Sequence, residues 1–104
     1  MGRVTADTGP VASRGELPLG SVAYRTIGPF GAQSLPTGLR AEHRLKEGTW
    51  GVIELTEGSL RFVWDDEQGG AEELTASARF IVPPQAPHHV EGDGPFTLTI
   101  AFHR

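Results

Sequence analysis

The segment Phe96-Thr97-Leu98-Thr99-Ile100-Ala101-Phe102-His103 puts Phe96, Leu98, Ile100 and Phe102 at one parity and Thr97, Thr99, Ala101 and His103 at the other. Successive side chains of an extended chain point to opposite faces, so this stretch reads as a strand with one apolar and one polar face. The same period of two runs upstream. Residues 39–46 set Leu39, Ala41, His43 and Leu45 against Arg40, Glu42, Arg44 and Lys46, which predicts a strand with His43 as the only polar group on its apolar face. Residues 50–56 and 59–64 give two further strands, the second carrying Leu60, Phe62 and Trp64 on one face. Between them, Glu57-Gly58 reads as a tight turn, because glycine takes positive φ without penalty. Asp65-Asp66-Glu67-Gln68-Gly69-Gly70 reads as a solvated turn, residues 71–74 and 79–82 as short strands, and Gly92-Asp93-Gly94-Pro95 as the turn before the closing strand. Apolar residues nowhere keep helical spacing for long. The chain is therefore expected to be all-β, with about seven to nine short strands in an antiparallel sandwich or barrel.

Composition narrows what such a fold would do. A chain of 104 residues, 38% of them hydrophobic, has the size of one domain and builds one modest core. Residues 1–21 are polar and rich in Gly and Pro without either period, so they are read as a disordered leader, with a single domain over residues 22–104. Nine Lys and Arg against thirteen Asp and Glu give a net charge of -4, and no basic run is present to neutralise a phosphate backbone, so nucleic acid is not expected as a partner. With no cysteine, the available chemistry is imidazole, carboxylate and hydroxyl, which suits a reducing cytoplasm. Apolar runs are far shorter than the ~20 residues that cross a bilayer, and no signal core opens the chain, so no membrane is expected and the protein is read as cytoplasmic.

The stretch Pro83-Pro84-Gln85-Ala86-Pro87-His88-His89-Val90 marks the candidate site. Proline fixes φ and biases its predecessor towards extended geometry, so the approach presents the next side chains in a nearly set direction. Alternation then sends His88 inward with Val90, and His89 outward with Glu91.

Taken in order, Tyr24-Arg25-Thr26-Ile27, Glu42-His43, Lys46-Glu47-Gly48-Thr49-Trp50, Glu57-Gly58-Ser59-Leu60-Arg61-Phe62 and Pro83-Pro84-Gln85-Ala86-Pro87-His88 resemble the small cupin domain family called TehB/YeaR-like. The likeness covers about residues 22–102. It implies a cupin-type double-stranded β-helix, a jelly-roll sandwich or barrel, found alone in small proteins or ahead of the methyltransferase of tellurite-resistance protein B. Metal-dependent cupins hold a divalent first-row ion on three His and a carboxylate. Here the resemblance maps that carboxylate position onto Gly51, one histidine of the first motif onto His43, and the histidine of the second motif onto His88, with Gln85 where the motif has Gly.

The metal ligands implied are thus His43 and His88, with His103 as the candidate third. His103 shares a strand face with Thr99 and Ala101, where the family's last strand carries polar groups. Imidazole suits zinc, iron, manganese or nickel, while zinc and facial-triad iron sites ordinarily take three protein ligands. Two other readings of His43 and His88 stand beside this one: interior histidines hydrogen-bonded to hydroxyl or carbonyl groups, and metal-free acid/base groups. His89 is read as a surface residue, Trp50 and Trp64 as packing groups, and Arg25, Arg40, Arg44, Arg61 and Arg79 as solvated charges. The phosphate-loop, zinc-protease, nucleophile-elbow and dinucleotide motifs are absent from the sequence, so methyl transfer is not expected of this chain and no reaction is assigned to it. The expected function is a small cupin domain whose cavity, lined by two histidines, binds a divalent metal or a small molecule. The family name adds a link to tellurite, oxyanion or metal stress. The competing expectation is a non-catalytic homodimeric binding or interaction module without metal.

Overall fold

Period-two sequence becomes six strands: β1 (Ala23–Phe30), β2 (Trp50–Trp64), β3 (Ala71–Thr75), β4 (Ala78–Val82), β5 (His88–Glu91) and β6 (Phe96–His103). They are seen in a computed structural model that describes residues 15–92 and 94–104. The expected leader falls outside the described residues as far as residue 14. Within residues 15–21, the Ser21 N–H donates to the Pro18 carbonyl at 3.0 Å and closes a turn. All pairings are antiparallel, in one unclosed sheet with the order β1-β6-β2-β3, while β4 and β5 each pair with β2. Among the described residues no helix is long and apolar enough to cross a membrane.

β2 organises the fold. Its first half, from Trp50 to Gly58, lies between β6 and β4, and its second half, from Ser59 to Trp64, between β3 and β5. The two segments expected as separate strands are therefore one strand, and Glu57-Gly58 is a corner rather than a hairpin turn. Against β6 the register slips between Leu55 and Glu57, the signature of a bulge, which inserts one residue and bends the strand. Burial parity changes accordingly, from Ile53 and Leu55 to Leu60, Phe62 and Trp64. Gly58 has φ 75, and a Cβ there would overlap the Pro95 carbonyl. Only glycine fits both constraints.

Residues 39–46 also differ from expectation. Thr37–Arg40 forms a single 3-10 turn, and beyond it only His43 makes a ladder contact, a lone antiparallel bridge to His88. The reason is Arg40, which is not a solvated charge. Its guanidinium donates to the Ala32 carbonyl at 2.6 Å and the Gly92 carbonyl at 2.8 Å, pinning the segment across the sheet end instead of along an edge. These two corrections leave six strands among the described residues instead of seven or more. β1 went unread in sequence because most of its positions are exposed, so no apolar parity marks it.

The core lies between the two halves of β2. Phe62 and Phe80 are fully buried with ring centroids 4.4 Å apart, and Trp64 meets Phe62 edge-on at 4.7 Å. Leu55, Leu74 and Leu98 complete the most buried layer. Trp64 thus packs, as expected of it.

Candidate functional site

The same core leaves an apolar cavity of about 220 Å³ beside it. Leu35, Leu39 and Leu45 close it from the segment before β2; Ile53, Val82, Leu98 and Phe102 supply the strand walls. Among the described residues, His43 and His88 are the only polar side chains in the wall. Parity therefore holds for Leu39, His43 and Leu45, which face the cavity, and fails for Ala41, which is exposed, because the segment is not a strand.

One bridge brings the two imidazoles together. The His43 N–H donates to the His88 carbonyl, and the His88 N–H to the His43 carbonyl, both at 2.9 Å. Residues opposed in such a pair project their side chains to the same face. The rings meet edge to face, with centroids 4.2 Å apart and planes at 64°. Each ring is also held from behind: His43 Nδ1 lies 3.0 Å from the Ala41 carbonyl, and His88 Nδ1 lies 2.7 Å from the Ala86 carbonyl. A carbonyl only accepts, so each neutral ring carries its proton on Nδ1 and keeps the lone pair on Nε2. The proline-stiffened approach makes this possible. Gln85, with φ 65, donates its N–H to the Leu45 carbonyl at 3.0 Å, and the Asp65 N–H donates to the Pro87 carbonyl at 2.8 Å.

His88 is 4% exposed and stacks on Phe62 at 5.0 Å and 19°. Burial lowers its pKa to about 4, with His43 adding to the effect and the Ala86 carbonyl opposing it. At neutral pH it is an uncharged acceptor in an apolar room.

The structure does not bring His103 to this pair. Phe102 faces the cavity, and His103 is its neighbour on the opposite face of β6, in register with Trp50 on one side and Ala23 on the other. Its Nδ1 is buried and has no hydrogen-bond partner among the described residues. No group of three or more His, Cys, Asp or Glu is placed to hold a metal ion among the described residues. Gly51, the position that the cupin motif gives to a carboxylate, does face the cavity. Glu54, three residues further along β2, is exposed.

His89 points outward, as alternation requires, but it is more than a bare surface residue. Its Nδ1 lies 2.7 Å from Asp65 Oδ2 and its Nε2 2.8 Å from Glu91 Oε2. Those two carboxylates, Asp65 first, raise its pKa. Sequence reading missed the set because Asp65 sits in an acidic loop that also suits plain solvation. The pairing of Val63 with His89 and of Trp64 with His88 shows that the loop start and β5 are neighbours.

With the geometry in place, comparison with known proteins gives three findings. The TehB-like domain family matches residues 25–100. TehB from Haemophilus influenzae is similar in structure, with a TM-score of 0.73 and 28% identity over 80% of this chain and 31% of that one. A protein from E. coli strain K12 has a TM-score of 0.75 at 19% identity, over 88% of this chain and 97% of that one, a likeness of fold alone. The chain thus spans less than a third of the H. influenzae protein's length. No curated protein matches it.

Proposed function

The chain belongs to the TehB-like domain family, and from that premise we propose that it is a ligand-binding domain of cupin jelly-roll type. Its cavity takes a small, largely apolar molecule that bears a hydrogen-bond donor. One observation carries this reading: in a wall otherwise made of apolar side chains and Gly51, His43 and His88 are the sole polar groups among the described residues, both with the proton fixed on Nδ1 by a backbone carbonyl. Two Nε2 lone pairs in apolar surroundings gain most from a donor, since an unmet acceptor there costs about 1–3 kcal/mol. Because His88 is neutral at pH 7, the cavity offers a hydroxyl or N–H an acceptor rather than a cation.

A second reading has its own support. Metal-ligating imidazoles ordinarily donate their other nitrogen to a carbonyl or carboxylate, which fixes tautomer and orientation, and His43 and His88 both do so. Zinc, iron, manganese or nickel would then rest on their Nε2 atoms, with water or ligand atoms completing the sphere, since the chain supplies two donors where such sites ordinarily take three. A metal so held would polarise a bound molecule. Either way the domain is read as a homodimer: β1, β3 and β4 each pair with one strand only, and Val22 and Tyr24 are exposed beside the β1 edge, a surface that a second copy covers.

The deciding experiment uses untagged protein. Metal content is measured by plasma emission, para-cresol binding by calorimetry, and assembly by sedimentation velocity, for the parent and for His43→Ala and His88→Ala. A metal-free parent that binds para-cresol, with affinity falling about tenfold or more in each variant, is the expected result, equivalent to at least one lost hydrogen bond. Stoichiometric metal that disappears in both variants would establish the second reading. A metal-free parent that ignores para-cresol would sink both.

A further inference from the structure

A second concavity adjoins the first. An open cleft of about 640 Å³ runs between the start of β1, the turn before β2 and the end of β6, and four cationic side chains line it: Arg25, Arg44, Lys46 and Arg104. Among the described residues, Glu47 is the one carboxylate side chain in its wall. In a chain whose formal net charge is -4, this convergence runs against the overall balance. Like charges lining one concavity focus a positive potential there, which a bound anion relieves.

The local partners do not use up that charge. Arg44 meets Glu42 at 3.5 Å, with both side chains more than half exposed, so the pair is well screened by water. The Arg104 guanidinium lies over the Tyr24 ring at 4.1 Å, which positions the cation without neutralising it. Arg25 and Lys46 have no carboxylate partner among the described residues.

The cleft and the histidine cavity share Leu45 and Phe102 in their walls, so the two spaces meet at these side chains. We infer that they form one compound site, in which the cleft holds the carboxylate of the molecule whose apolar body fills the cavity. The inference rests on the cavity reading proposed above and gives its ligand a chemical class: a short aromatic or aliphatic acid with a hydroxyl or N–H at the end remote from its carboxylate. Arginine suits that carboxylate because its planar fork matches the two oxygens. The size agrees, because a dry cavity of about 150 Å³ already admits benzene and this one measures about 220 Å³.

The probe is para-hydroxyphenylpropionate, paired with its uncharged primary amide. Calorimetry on the full chain at low and high salt compares the parent, the triple variant Arg25→Gln/Arg44→Gln/Lys46→Gln, and His88→Ala. All three replaced cations are surface groups, and thermal melts check that the triple variant is folded. In the parent, the acid binds on the order of tenfold more tightly than the amide at low salt, and the advantage shrinks as salt screens the cleft. The triple variant loses that advantage while its affinity for the amide stays unchanged, and His88→Ala weakens both probes. Equal affinity of the parent for acid and amide overturns the cleft's role and leaves the cavity reading standing. Acid binding that ignores His88→Ala, with no amide binding, overturns the compound site and the cavity reading together. Failure of both probes to bind overturns the ligand class.

Discussion

Burial ties the charge of His88 to folding. Its folded pKa is about 4 against an ordinary 6.5, so between those values the unfolded chain takes up a proton that the folded chain refuses. Stability is then fully present above about pH 6.5 and is lost as pH falls towards 4, by up to about 3 kcal/mol from this one ring. Urea unfolding across that window should show the slope in the parent and a flatter profile in His88→Leu. Should the variant not fold, the parent's own His88 ring resonances serve: titration near pH 6.5 would refute the claim. His89 works with the opposite sign, since its raised pKa makes its contribution present below 6.5 and lost as pH rises. Sequence parity distinguished these neighbours, because alternation is a property of any extended chain. It had no means of reading what each ring meets, since Ala86, Asp65 and Phe62 reach the pair through turns and strand pairing. Gln85 shows the reverse situation. The motif's glycine position is visible in sequence, and φ 65 there supplies the physical reason for a glycine.

At the scale of elements, the corner at Gly58 decides how the core closes. A hairpin and a bulged corner both use glycine and both break the period of two, so residues 57–58 alone favour neither. What separates them is β6, which runs alongside the first half of β2 as far as Gly58 and leaves the second half to β3 and β5. That is long-range pairing with no local signature. Gly58→Ala meets both a positive φ and the Pro95 backbone, and is expected to cost more than about 3 kcal/mol, beyond the 1–2 kcal/mol of φ alone. Gly48→Ala is the control: its φ is 80, but nothing lies within 4 Å of a Cβ there. Thermal melts should therefore separate the two variants by well over 1 kcal/mol, and equal losses would mean that the corner is not tightly packed. Residues 39–46 teach the same lesson, because strict alternation there reported a face and not a strand. The backbone groups of that segment are met by the Pro36 carbonyl, the His88 bridge and the Gln85 and Thr49 amides rather than by a ladder.

Across the whole molecule, the cavity is where distant parts of the chain converge: the segment holding His43 and Leu45, the start of β2 at Gly51, β4 at Val82, β5 at His88, and β6 at Leu98 and Phe102. The cupin likeness places a carboxylate at the Gly51 position, and the structure puts that residue in the cavity wall with both imidazoles. A Cβ there would lie 3.1 Å from Leu45 Cδ1 and 3.7 Å from Val82 Cβ. The closer neighbour is the tip of a flexible side chain, so a larger residue is admissible with a small shift. No positive φ is involved at this position. Gly51→Glu is therefore expected to complete a three-donor set on the ring nitrogens that the Ala41 and Ala86 carbonyls already orient, and to raise zinc affinity at least about tenfold over the parent. Competition with a chromogenic chelator measures this directly. The double variant Gly51→Glu/His88→Ala should fall back to the parent's affinity, because the new carboxylate alone gives a one-sided site. A folded Gly51→Glu protein with no gain in affinity would mean that residue 51 and the two rings line one space without pointing at a common centre, which would also remove the geometric basis for the metal reading.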